Sequence, residues 1–328
     1  MIPPALEIGD SRETVGYPDF RAAGRSYTYG VVEERTMSWK HRSVQVNGIE
    51  LHYVREGSGF PLLLVHGWPE YWRTWRKNIP VLADSFDVIV PDLAGFGESE
   101  NPDVPTADGY GVDDHVTDLM GLAEALDVEE FGFVSHDLGA YVGQSIAREH
   151  PEHVRGLFFF DCPYPGIGDR WRDPDHISEI WYQSFNQQPW AADLVGASRE
   201  TCRMYIDHFL THWAGDPDAF DEADREAWVD TFSEPGNLQG GFNWYIAAEE
   251  ARKQLMREGA PTMEPIEVPT RILWGESDPI VKSEWADRLG EYFADYQLET
   301  VPGAGHFVQY ERPDRANDAL TSFFSDLQ

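Results

Sequence analysis

Five short uninterrupted apolar runs, Leu62–Val65, Val88–Val90, Phe131–Val134, Leu157–Phe160 and Ile272–Trp274, restrict this chain to few folds. A strand with one wet face alternates apolar and polar residues, whereas a run without alternation has both faces covered. Between the runs, apolar residues recur at helical spacing: Val116, Leu119, Met120, Ala123 and Leu126, then Ala316, Leu320, Phe323 and Leu327. Buried strands alternating with helices predict an α/β fold, a mostly parallel, doubly wound sheet. Ahead of it, the alternation of Val44, Val46, Ile49, Leu51 and Tyr53 about Asn47-Gly48 predicts a hairpin.

The alternation stops between about 163 and 265, where no buried-strand run occurs and aromatics such as Trp181, Tyr182, Trp213, Trp244 and Tyr245 accumulate. Most of these are expected to pack against one another. The segment leaves from the end of the Leu157 strand, so it is expected to form a helical cap over the carboxyl edge of the sheet, where open α/β folds bind ligands. The organisation is then an N-terminal extension over 1–40, a core from 41–162 and 266–328, and a cap over 163–265.

A formal charge of −33, with four lysines against 58 acidic residues, repels phosphate backbones and anionic lipid. Nucleic acid and membrane partners are excluded, and a small molecule is expected; adaptation to high salt and an ordinary acidic enzyme fit equally. Cys162 and Cys202 are too few for a disulfide framework. With no signal-peptide pattern and no membrane-length apolar stretch, the expectation is a soluble cytoplasmic protein. The histidines show no metal-ligand spacing, neither metal nor cofactor is called for, and oligomeric state leaves no signature.

The stretch Gly132-Phe-Val-Ser-His-Asp137-Leu-Gly-Ala-Tyr141 reads as strand, sharp turn, helix, with small residues two positions either side of Asp137. That is the pattern of a nucleophile elbow, with a carboxylate at its centre. Three further features fall at strand ends: His66-Gly67-Trp68-Pro69, Gly275-Glu276-Ser277-Asp278 and Gly303-Ala304-Gly305-His306. The N–H groups of Trp68 and Leu138 are placed to form an oxyanion hole. The chain order is nucleophile, acid, histidine. Serine attacking a saturated carbon would leave an inert ether, whereas aspartate leaves an ester that water can cleave. Asp137 therefore implies displacement at carbon, with His306 as general base for a second, hydrolytic step.

From about residue 40 onward these motifs, with Asp92-Leu-Ala-Gly-Phe-Gly-Glu-Ser99, resemble the α/β-hydrolase superfamily. More narrowly they resemble its Asp-nucleophile branch of epoxide hydrolases, haloalkane dehalogenases and fluoroacetate dehalogenases. Ser135-His136-Asp137 and His66-Gly67-Trp68-Pro69-Glu70 look most like epoxide hydrolases. The resemblance implies conversion of epoxides to vicinal diols, with two cap tyrosines, Tyr182 and Tyr245, protonating the departing oxygen. It implies Asp278 as the triad acid, with Asp161, at the end of the Phe158 strand, as the alternative that some dehalogenases use. Leu138 stands where most epoxide hydrolases and haloalkane dehalogenases have tryptophan. The arginines that fluoroacetate dehalogenases need are absent at Leu138 and Tyr141. The alternatives are a haloalkane or haloacetate dehalogenase using the same aspartate, and a catalytically silent hydrolase fold binding a small apolar ligand.

Overall fold

The computed structural model describes residues 39–105 and 107–327. The extension expected over 1–40 therefore lies outside the described residues apart from Trp39 and Lys40. Eight strands form one sheet: β1 His41–Val46, β2 Ile49–Gly57, β3 Phe60–Val65, β4 Phe86–Pro91, β5 Phe131–His136, β6 Val154–Phe160, β7 Thr270–Gly275 and β8 Tyr296–Val301. Their spatial order is β1-β2-β4-β3-β5-β6-β7-β8. The pairs β1–β2 and β2–β4 are antiparallel and every other pair is parallel.

The five apolar runs lie within β3 to β7, the interior of the sheet. All six residues of β4 and of β5 are buried, as expected for strands with helices on both faces. The hairpin turns at Asn47 (φ 50°) and Gly48 (φ 89°), the left-handed pair that an Asn-Gly turn supplies. One strand had no such signature: β8 is largely exposed at the sheet edge, and only its last residue, Val301, is buried. The two helical patterns form Val112–Ala125 and Pro313–Ser325.

Between β6 and β7 the chain is helical, with helices at Trp181–Phe185, Arg199–His212, Glu222–Ser233, Asn237–Ala247 and Glu249–Glu258, and no strand. Hydrogen bonds tie this segment to the loops that follow β3, β4 and β8. Trp228 Nε1 donates to the Pro69 carbonyl at 2.8 Å and Asn237 Nδ2 to that of Gly97 at 2.8 Å. The His306 N–H donates to the Trp213 carbonyl at 2.8 Å. All three loops leave the carboxyl ends of their strands, so the helices sit over the carboxyl edge of the sheet.

Candidate active site

β5 ends at His136, and the helix Leu138–Glu149 begins after a single intervening residue. Asp137 makes the reversal alone, at φ 48° and ψ −117°, a conformation that side-chain-bearing residues rarely adopt. The close approach of neighbouring chain explains the glycines. A Cβ on Gly139 would fall 2.9 Å from the His66 carbonyl oxygen, and one on Gly67 would fall 2.6 Å from Asp137 Cβ.

The Asp137 carboxylate faces two groups. Trp68 N–H donates to Oδ1 at 3.1 Å, and His306 Nε2 lies 3.6 Å from Oδ2. The second expected oxyanion donor, the N–H of Leu138, makes no hydrogen bond to the carboxylate. On its other side, His306 Nδ1 donates to Asp278 Oδ2 at 2.8 Å, which leaves Nε2 as the nitrogen facing Asp137. Asp278 is itself held by the N–H groups of Ile280 and Val281, at 2.8 and 3.0 Å to Oδ1. Burial pushes the imidazole down, but the Asp278 charge, its hydrogen bond and the nearby Asp137 outweigh burial. His306 stands well above the usual histidine range.

Asp161 does not reach the imidazole's Nδ1. Its Oδ1 accepts from the Gly275 N–H at 2.7 Å, joining β6 to β7, and its Oδ2 has no partner among the described residues. Burial, and then the charge of Asp278, pushes the Asp161 carboxyl well above the usual carboxylate range.

Tyr182 and Tyr245 come from different helices of the inserted segment, yet their ring centroids are 5.6 Å apart. Trp68 brings them together: its indole stacks on Tyr182 at 5.3 Å and meets Tyr245 edge-on at 5.4 Å. The same residue thus supports the carboxylate with its backbone and both phenols with its side chain. Burial, and after it the neighbouring charges and phenols, pushes both hydroxyls above the usual tyrosine value. A cavity of about 410 Å³ is lined by Asp137, Leu138, Tyr182 and Tyr245, together with Gln183 and Arg252.

Two contacts, one buried and one half-buried, were not anticipated from the sequence. Glu70 accepts from Gly67 N–H (2.7 Å), Thr74 (2.5 Å), His136 Nδ1 (2.6 Å) and Gln309 (3.0 Å). Burial pushes its carboxyl up, but His136 and these bonds hold it down at about 2. His136 Nε2 then reaches the His306 carbonyl at 2.6 Å, so one buried pair joins the loop after β3, the turn at Asp137 and the loop after β8. The second contact is Gln183 with Arg252, from helices whose sequences look like cap packing and a solvated face. Although the histidines show no ligand spacing, the fold brings the ligand atoms of His41, His52 and Glu98 within 4.8 Å of one another. Hydrogen bonds within this group and to Asp92 occupy both ring nitrogens of His52 and Nδ1 of His41, and none of the three lines the cavity.

A family model described as the alpha/beta hydrolase fold matches residues 61–313, and one described as the epoxide hydrolase N terminus matches residues 21–75. The soluble epoxide hydrolase of Corynebacterium sp. (strain C12) is 32% identical over 297 residues, covering 88% of this chain and 98% of that protein. The chain belongs to the epoxide hydrolase family of α/β hydrolases. Epoxide hydrolase 4 of Homo sapiens is 28% identical over 293 residues, 86% of this chain and 78% of the relative. Among solved structures, the epoxide hydrolase CorEH without ligand superimposes with a TM-score of 0.76 at 30% identity, over 88% of this chain and 99% of that one. An epoxide hydrolase of Bacillus megaterium in complex with an inhibitor gives 0.76 at 25% identity, over 87% and 100%. The match over residues 21–75 gives part of the N-terminal extension a family relation that its irregular sequence had not conveyed. Among the described residues no helix is long and apolar enough to cross a membrane.

Proposed function

We propose that this protein hydrolyses epoxides to vicinal diols through a covalent ester on Asp137. One observation carries the reading: the side chain on the strained turn after β5 is a carboxylate, and it shares a cavity with two buried phenols. An Asp137 oxygen attacks an epoxide carbon and the C–O bond on the far side breaks. The ring oxygen keeps the bonding pair and takes a proton from Tyr182 or Tyr245, leaving a hydroxyalkyl ester and a tyrosinate.

Charge then decides the order of events. In this reading the resting His306 carries its second proton, because the Asp278 and Asp137 carboxylates on either side raise its pKa against the effect of burial. Esterification removes the Asp137 charge, so His306 holds its proton less tightly just as the tyrosinate needs one. The proton returns to the tyrosine, and His306 becomes a base. It takes a proton from water while the water oxygen bonds to the Asp137 carboxyl carbon. The N–H groups of Trp68 and Leu138 hold the oxyanion. Collapse breaks the ester C–O bond, the departing oxygen takes the proton of the added hydroxyl, and the resting carboxylate and imidazolium are restored.

Residues 163–265 serve in this reading as a lid that brings the phenols to the nucleophile and keeps bulk water from the ester. The substrate is a small molecule, and a reduced cytoplasm suits the free, buried Cys162 and Cys202. Incubation with styrene oxide and, separately, 1-bromobutane is expected to give phenylethanediol and no bromide. Bromide release without diol would make the protein a dehalogenase instead.

Asp278 is the triad acid in this reading and Asp161 a structural hydrogen-bond acceptor. Asp278→Asn should lower kcat on the order of 10⁴-fold, the scale seen when a histidine loses its orienting carboxylate. Asp161→Asn keeps an acceptor for the Gly275 N–H and should leave kcat within about threefold, the range of a surviving hydrogen bond. Stability should separate them too. A carboxyl raised in the folded state binds its proton more tightly there, so its contribution is present at acid pH and is lost as pH rises through the folded value. Asn does not titrate, so Asp161→Asn should melt at or above the wild-type temperature near neutral pH in a scanning calorimeter. The reverse ranking of the two activities would move the triad acid to Asp161.

A further inference from the structure

In the cavity wall the directions of two hydrogen bonds are forced by chemistry. A guanidinium has donors only. Arg252 Nη1 meets Gln183 Oε1, so the amide oxygen faces the arginine and the amide nitrogen faces away from it. That nitrogen lies 3.2 Å from the Tyr182 hydroxyl oxygen. Since Gln183 Nε2 donates, the phenol oxygen accepts, and the phenol's own proton remains for another acceptor. Arg252, Gln183, Tyr182 and Asp137 all line the one cavity. Gln183 is buried, and among the described residues no carboxylate pairs with Arg252. Among the described residues Tyr245 has no equivalent support: Gln187 Nε2 donates to its backbone carbonyl, at 3.0 Å, and not to its hydroxyl.

We infer that Arg252 and Gln183 are positioning residues that aim the Tyr182 proton at the epoxide oxygen and stabilise the tyrosinate left when that proton is given up. This rests on the proposed epoxide hydrolysis and deepens it, because it distinguishes the two phenols. A donor into a phenol oxygen bonds more strongly as charge collects there, so the contact strengthens as ring opening proceeds. Arg252 keeps the amide in the useful orientation. Without it the amide is free to flip, its oxygen would accept the phenol proton, and that proton would be withdrawn from the substrate. The relay acts on alkylation, where a proton is delivered to oxygen, and has no part in the attack of water on the ester.

Single-turnover kinetics with excess full-length protein and styrene oxide, quenched rapidly and read as ester on the Asp137 peptide and as diol, separate the two steps. Gln183→Leu and Arg252→Met are each expected to slow alkylation about tenfold, the worth of one hydrogen bond to a charging atom, with ester hydrolysis within about twofold. Gln183→Glu offers the phenol an acceptor and should slow alkylation further, about a hundredfold, the scale of a lost general acid. Arg252→Lys, a donor of the same charge, should restore most of the rate lost in Arg252→Met. In a Tyr182→Phe background, Gln183→Leu should have no further effect on alkylation. An equal slowing of both steps, or an undiminished effect of Gln183→Leu in that background, would reduce these residues to packing and overturn the inference. If Gln183→Leu does not fold, Arg252→Met and its lysine rescue carry the same test. A wild-type protein that turns over no epoxide would overturn the proposed function instead, and is distinguished because no rate then exists to compare.

Discussion

Asp137→Ala is expected to end epoxide turnover, lowering kcat by about a million-fold, the loss seen when a covalent nucleophile is removed from a working triad. Little can compensate for it. In water-first hydrolysis His306 would have to activate water directly against a saturated carbon, and the oxyanion donor at Trp68 would have no ester to serve. The cavity should survive, because its walls are held by the rings of Trp68, Tyr182 and Tyr245 packing on one another, and of these residues only the Trp68 backbone N–H is hydrogen-bonded to the carboxylate. A non-reacting amide or urea ligand should therefore still bind Asp137→Ala by calorimetry, while diol formation falls to background. Diol production at more than about a thousandth of the wild-type rate, the residual reach of general-base catalysis alone, would mean that water and not Asp137 opens the ring.

The residues that could be read in advance share a physical position. Asp137, Asp278 and His306 each follow a strand, and a buried strand announces itself because both its faces are covered. β8 shows the limit of that signal. Its residues are mostly exposed, so only the glycines of Gly303-Ala304-Gly305 pointed to a strand before His306. Tyr182 and Tyr245 were legible through resemblance and not through periodicity, since an aromatic in a helical segment is first of all packing. Gln183 and Arg252 were not legible at all. They meet across 69 residues, and in the sequence Arg252 stands among Glu249, Glu250 and Lys253 as one more charge on a solvated helix. Glu70 and His136 were hidden for a related reason: nothing local marks a carboxylate and its imidazole partner for burial, and only the folded neighbourhood of Gly67, Thr74 and Gln309 supplies the hydrogen bonds that burial of the carboxylate requires.

His306→Gln should separate the two chemical steps more sharply than any other change. Glutamine is close in size to histidine and retains an amide N–H for Asp278, but it has no basic nitrogen 3.6 Å from the nucleophile. Overall turnover should fall by about a million-fold, as it does when a triad histidine is removed. The first step does not use the imidazole as a base, and attack by Asp137 with proton transfer from a phenol should continue. The protein should therefore consume one equivalent of epoxide and stop as the ester. Mass spectrometry of the peptide containing Asp137 then reads the class of reaction directly. An epoxide adds its whole mass, because its oxygen stays on the alkyl group as a hydroxyl. An alkyl halide would add the alkyl group alone, because the halide departs. An adduct of full epoxide mass on Asp137 is the expected result; an unmodified peptide after complete mixing, with wild-type protein active in parallel, would place the nucleophile elsewhere.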